Sequence, residues 1–267
     1  MGGIVIMHCI DLNSDLGESF GTYVLGRDEE VLESITSANV ACGYHAGDPQ
    51  VMQRTVAAAK ARGVAVGAHP GYPDLQGFGR RTLGCTPWEA YAFCLYQIGA
   101  LQAFCAAQGM ELQHVKPHGA LYNQGAENPD LARALVEAVR DASASRKKPL
   151  IFMGLAGSAY EKTAAACSLP FAAEAFADRA YTDEGTLVNR REPGAVLHDP
   201  QIISERILEM VTKGTVETIT GKRISLKPAS ICVHGDTPEA VAIAAKLRTH
   251  LEARGIALKP LQEVLGI

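Results

Sequence analysis

Short apolar runs alternate with longer Ala- and Leu-rich stretches from one end of the chain to the other. The runs, bounded by Gly, Pro, Asn or Asp, predict strands near residues 8–12, 38–43, 64–68, 112–116, 149–154, 171–176 and 230–234, with a further candidate at 257–259. The stretches between them predict helices over 28–35, 49–62, 86–108, 128–142, 157–167, 200–213 and 237–254. Asp48-Pro49, Thr86-Pro87 with Glu89, Asp199-Pro200 and Thr237-Pro238 with Glu239 mark helix starts, because each sets an N-cap acceptor before a proline at the first helical position.

This βαβ alternation predicts an α/β fold with parallel strands and right-handed crossovers, a TIM-like (β/α) barrel that is distorted or seven-stranded. Spacing alone leaves closure open. With 267 residues and no Ser/Pro-rich or charged linker, residues 1–267 are expected to form a single domain. Two segments interrupt the alternation: a long polar connection at 178–199, and residues 214–226, which alternate around Gly221-Lys222 like a hairpin.

Polar residues gather where the strands stop. His45, His69, His118 and His234 each follow an apolar run, and the first run delivers Asp11, Asn13 and Asp15. Strand C-termini converge on one mouth in such folds, so these residues are expected at a shared site. Alternation along a strand then assigns facing. Cys9 and Asn13 go with Asp11, Ala65 and Gly67 with His69, His114 and Lys116 with His118, Cys232 with His234, and Glu174 and Phe176 with Asp178. Asp11, Asn13, His114, Lys116 and Glu174 therefore point inward, and burying so many polar groups demands a bonded network in which Lys116 and Glu174 are the preferred ion pair.

Asp11-x-Asn13-x-Asp15-x-x-Glu18 offers several oxygen donors for a metal or a general base. His45 and His69 sit in Gly-flanked loops where backbone approaches a ligand closely, while Asp48 reads as a helix cap. Arg80 and Arg179 offer guanidinium groups for a carboxylate or phosphate, beside Asp178 at a strand end. Gly154-Leu-Ala-Gly157-Ser158, at a strand-to-helix turn, suits an anion on helix N–H groups or simply makes the turn. GxxxxGK[ST], GxSxG and HExxH are absent, which argues against a phosphate loop, an α/β-hydrolase and a zincin.

A formal net charge of −4 carries no electrostatic footprint for nucleic acid and no polybasic membrane patch, so neither is an expected partner. The 7 cysteines lack CxxC or zinc-finger spacing, which fits a reduced, cytoplasmic setting. Cys94 and Cys105 are expected to pack in the core as small hydrophobes.

Taken together, the segments Asp11 to Gly21, Ser37 to Asp48, Gly67 to Gly71, Asp74 to Arg80, Tyr96 to Leu101, His114 to Tyr122, Phe176 to Tyr181 and Val233 to Asp236 closely resemble the LamB/YcsF family over about residues 8–254. Departures are small: Ser14 stands where cysteine is frequent and Tyr44 where phenylalanine is. The resemblance implies a barrel related to polysaccharide deacetylases. It also implies ATP-dependent opening of 5-oxo-L-proline to L-glutamate, with Mg as the counter-ion of ATP, in a complex with 5-oxoprolinase B and C subunits. Under that reading Asp11 or Asp15 is the base, with His45 and Lys116 completing the catalytic set. Asn13, Arg80, Asp178, Arg179 and His234 contact substrate, and Asp15, His69 and His118 correspond to the deacetylase metal set. Two other readings stand beside it: a stand-alone metal-dependent amidase or deacetylase, and a non-catalytic binding subunit.

Overall fold

The computed structural model describes residues 8–233 and 238–267, so His234 lies outside the described residues. Six parallel strands follow in chain order: β1 (Cys9–Leu16), β2 (Ser37–Ala41), β3 (Ala65–His69), β4 (Leu112–Val115), β5 (Ile151–Leu155) and β6 (Phe171–Phe176). The antiparallel hairpin β7 (Thr215–Glu217) and β8 (Arg223–Ser225) comes next, and then β9 (Ser230–Cys232). On one side β9 pairs with β6, Glu174 opposite Ser230, and on the other with β1, Asp11 opposite Ser230, so the sheet closes as a seven-stranded parallel barrel. The eighth candidate strand forms as β10 (Ala257–Leu258) but stays outside the ring, pairing with Cys9 and Ile10 before β1 meets β9.

Helices α1 (Asp28–Val31), α2 (Pro49–Ala61), α3 (Pro87–Ala107), α4 (Gly119–Glu127), α5 (Pro129–Ser143), α6 (Ala159–Ala166), α7 (Pro200–Lys213), α8 (Pro238–Ala253) and α9 (Leu261–Leu265) complete the chain. Three start signals work as expected: Asp48 accepts from Gln50 and Val51 N–H at 2.8 and 2.9 Å, Thr86 and Glu89 form a reciprocal capping box, and Asp199 accepts from Gln201 and Ile202 N–H; Thr237, the fourth, lies outside the described residues. Helix α1 stops four residues short of the expected 28–35 range. Helix α4 was not expected, since Gly119 and Gly125 weaken its helical propensity and His118 provides no side-chain cap. Tertiary packing holds it instead: Leu121 is fully buried, and Gly125 lets the Tyr160 ring lie against the helix backbone.

Outward-facing Leu12, Val66, Val115 and Ile231 pack beneath the helices, as alternation requires. Helix α3 has the length and apolarity of a membrane span, and it lays Cys94, Ile98, Leu101 and Cys105 into this core. Burial pushes the Cys105 thiol up to about 12 and keeps it protonated.

The barrel interior is polar and layered. At its floor the Asp11 carboxylate accepts from Thr36 Oγ1 at 2.7 Å, Ser37 Oγ at 2.6 Å and the Ser230 hydroxyl. One layer up, Asn39 Nδ2 donates to Asn13 Oδ1 at 2.8 Å, Asn13 Nδ2 to Ser230 Oγ at 2.7 Å, and Asn39 Oδ1 meets His114 Nε2 at 2.7 Å. Gly67 on β3 leaves the space that the His114 imidazole fills.

Two predictions test this interior. A Cβ at position 67 would overlap the His114 ring, so Gly67→Ala should lower unfolding free energy by about 1–3 kcal/mol in denaturant titration. Burial, reinforced by Lys116, lowers His114 from 6.5 to about 3. The unfolded chain therefore takes up a proton near pH 6.5 that the folded chain refuses until about pH 3. Stability should fall as pH drops through that window, and His114→Gln should remove about one proton, about 1.4 kcal/mol per pH unit, from the slope.

Candidate active site

The C-terminal ends of the strands open into one cleft of about 1410 Å³. Asp15 reaches it from the last turn of β1 and Glu18 from the loop after it; His69 ends β3, while Lys116 and His118 follow β4. His45 comes from the loop after β2 and lies fully buried behind them.

Glu18, His45, His69 and His118 bring four potential ligand atoms within 4.8 Å of one another. His45 and His118 stack at 3.7 Å between ring centroids, and His69 stands perpendicular to both. Backbone carbonyls select the tautomers. His69 Nδ1 lies 2.8 Å from the Lys116 carbonyl oxygen and His118 Nε2 lies 2.9 Å from that of Phe78, so each of these nitrogens is the N–H donor. The opposite nitrogens, His69 Nε2 and His118 Nδ1, then face each other at 2.9 Å with their lone pairs when both rings are neutral. Two lone pairs at that separation call for a shared proton or a cation. Burial, with neighbouring histidines adding to it, holds His45 and His118 well below the usual imidazole range, which favours the neutral, metal-binding form. The Phe78 carbonyl is aimed by a left-handed backbone at Phe78 (φ 54°) and Gly79 (φ 61°), a conformation a bulky residue rarely adopts, and a Cβ at 79 would press on His45 and His118. The donor set therefore fits a divalent cation, with His69 and His118 each oriented by a carbonyl on the far nitrogen and His45 Nδ1 left without a partner.

Beside this cluster Lys116 Nζ lies 2.7 Å from Glu174 Oε1 and 3.0 Å from Asp15 Oδ1, with Asn13 Oδ1 at 3.3 Å and Cys232 Sγ at 3.2 Å. Burial works against this ammonium, yet Asp15, Cys232 and Glu174 outweigh it and hold Lys116 well above its ordinary value. Burial likewise raises Asp15, but His69 and Lys116 reverse the effect and keep its carboxyl well below the carboxylate range. Asp15 Oδ2 also lies 3.2 Å from His69 Nε2, which ties the ion-pair network to the histidines. Glu18 differs: burial raises it against the pull of His118.

A model of the LamB/YcsF family matches residues 10–266. The chain belongs to the LamB/YcsF family. It is 57% identical over 256 residues to a protein of Thermococcus onnurineus that is named as the A subunit of 5-oxoprolinase, covering 96% of this chain and 99% of that one. A Clostridium beijerinckii protein of the same name is 50% identical, with 97% and 100% covered. The crystal structure of a lactam utilization protein from Thermus thermophilus superimposes with a TM-score of 0.88 at 43% identity, covering 94% of this chain and 99% of that one.

In this LamB/YcsF chain, Asp15, His69, His118, Lys116, Arg80 and Arg179 all line the cleft. Asp11 and Asn13 sit lower in the barrel, fully buried, with the Asp11 carboxylate engaged by three hydroxyls; burial raises it to about 6. Asp178 was expected to point inward with Glu174, but β6 ends at Phe176 and alternation ends with it, so Arg179 lines the cleft in its place. Asp178 instead acts on the guanidinium groups of Arg179 and Arg206. Glu18 and His45 join the histidine pair for which Asp15 was the expected third ligand. The Phe78 carbonyl and Asn39 were not foreseen as site residues. Asn39 was visible as a polar residue inside an apolar run, sharing parity with Ser37; nothing local announces a carbonyl supplied by a left-handed turn.

After chelator treatment, this chain should bind one divalent cation in a calorimetric titration with zinc or manganese. His118→Ala should weaken that binding at least about tenfold, the scale seen when a metal site loses its supporting groups.

Proposed function

We propose that this chain is the lactam-opening component, the A subunit, of a cytoplasmic, ATP-dependent 5-oxoprolinase that works with B and C subunits to convert 5-oxo-L-proline to L-glutamate. The observation that carries the reading is the meeting of the Glu18, His45, His69 and His118 cluster with an ionised Asp15 at the mouth of a barrel whose relatives bear that name.

A five-membered lactam is a poor electrophile, and phosphorylation of its amide oxygen turns that oxygen into a leaving group. Water then attacks C5 and the C5–N bond breaks, so the ring nitrogen becomes the amino group of γ-glutamyl phosphate; a second water cleaves that acyl phosphate, releasing inorganic phosphate and L-glutamate. Asp15 stays ionised through the neutral range, so it can orient that water and accept its proton, which passes to the departing nitrogen. It is a weak base, suited to an electrophile that phosphorylation has already activated. Lys116 directs its donors to Asp15, Glu174 and Asn13 and so acts as the group that keeps Asp15 charged and placed. Arg80, lying over the Phe78 ring at 5.2 Å, remains to receive the substrate carboxylate. Asp11, at the floor, is too enclosed to serve as the base. Glu18, His45, His69 and His118 would hold a divalent cation, which when bound polarises an oxygen and acidifies water.

Glutamate and ADP release from 5-oxo-L-proline and ATP should require all three subunits, and chelator should reduce it. Asp15→Asn in that mixture should lower kcat by roughly 10²–10⁴. Lactam or amide hydrolysis by this chain alone without ATP would replace the reading with a stand-alone amidase. Unchanged turnover in Asp15→Asn would leave a binding subunit.

A further inference from the structure

The cleft is far larger than a lactam needs. Pockets that enclose drug-sized ligands hold about 300–1,000 Å³, and this one holds about 1410 Å³. Away from the histidines it runs between the N-terminal end of α6 and the segment 184–191. Two polar groups in that arm are buried and unmatched. Ser158 stands at the N-cap of α6, yet its hydroxyl caps no N–H; it is 9% exposed, and its Oγ has no hydrogen-bond partner. Arg179 is 7% exposed, gives one Nη2 bond of 2.6 Å to the Val188 carbonyl, and leaves Nε without a partner. Orphaned buried donors are costly and mark places where a ligand completes the bonding.

Cations predominate around them, with Glu184 in the same segment and Asp178 beside Arg179 as the opposing charges. Burial lowers the Arg179 guanidinium, and Arg190 and Arg80 add to the effect while Asp178 opposes it, so three arginines crowd one wall. Lys162, exposed on the first turn of α6, faces the same space, and a further cation, Arg191, lines it. The first-turn N–H groups of α6 have no intrahelical partners and carry the positive end of the helix dipole. Glu161 satisfies only the Gly157 N–H before them, at 2.8 Å. Helix N–H groups, a hydroxyl and several guanidinium forks form a cradle for a chain of phosphate oxygens.

We propose that this arm of the cleft, between the N-terminus of α6 and the 184–191 segment, binds the polyphosphate of a nucleoside triphosphate. The inference rests on the ATP-dependent reading above and deepens it by assigning the nucleotide's phosphates to this chain rather than to a partner subunit. Bound there, the phosphates share a cleft with the lactam position beside Asp15.

Calorimetric titration of the full chain with ATP, tripolyphosphate, adenosine and inorganic phosphate tests it. ATP and tripolyphosphate should each bind at one site, at least about tenfold more tightly than adenosine or inorganic phosphate, and more weakly as salt rises. Arg179→Met should weaken ATP at least about tenfold, one charge-assisted bond's worth. Ser158→Ala and Lys162→Ala, which remove one small group and one exposed side chain, should weaken it in folded protein confirmed by circular dichroism. The proposal is overturned if ATP fails to bind, if adenosine or inorganic phosphate binds as well as ATP, or if all three variants bind like the parent. Should ATP fail to bind this chain while the three-subunit mixture still opens 5-oxo-L-proline, only the phosphate site falls and the 5-oxoprolinase reading stands.

Discussion

Lys116 holds the interior of this barrel together. It sits inside the ring with two carboxylates, Glu174 and Asp15, on strands that are not neighbours in the sheet, and it is 2% exposed. Removing one partner of such a buried set leaves an uncompensated charge, commonly a loss of about 3–5 kcal/mol. The rest of the polar interior is arranged around it. Asn13 reaches Lys116 and Ser230, Asn39 reaches Asn13 and Asp15, and Tyr122 donates to Glu174 at 2.7 Å. A barrel filled with Val and Ile would close as tightly. This one accepts the desolvation of charge, and what it gains is a carboxylate at the mouth kept ionised and fixed in place.

The histidine cluster depends on the same control of orientation. His69 takes its tautomer from the carbonyl of Lys116 itself, so the residue that anchors the ion pairs also aims the neighbouring imidazole. His118 takes its own from Phe78, whose strained backbone is held by the contacts of Gly79 with Ala120. Ion-pair network and donor cluster thus meet at Asp15 and His69, 3.2 Å apart, and a change in either is felt in the other.

Much of this was legible from the chain. The strand ends were placed within a few residues, and parity put Asp11, Asn13, His114, Lys116 and Glu174 inside and paired Lys116 with Glu174, because period-two alternation is a local property of extended backbone. It failed where that local property ended: past Phe176 the chain leaves the strand, and Arg179 rather than Asp178 turns into the cleft. Helix α4 was illegible for a related reason, since its glycines argue against a helix and only burial of Leu121 and the fit of Gly125 to Tyr160 justify one.

The order of strands and helices, the helix starts, the facing of strand residues and the gathering of histidines at one mouth follow from the amino-acid sequence alone, because each depends on residues a few positions apart. Closure at seven strands, the exclusion of β10, the choice of Glu18 and His45 as companions to His69 and His118, and the unmatched Ser158 Oγ and Arg179 Nε in the cleft were decided only in the tertiary structure. Those features join residues as far apart as Asp11 and Ser230. Pairing at such separation is set by how the whole ring packs, which no local period encodes.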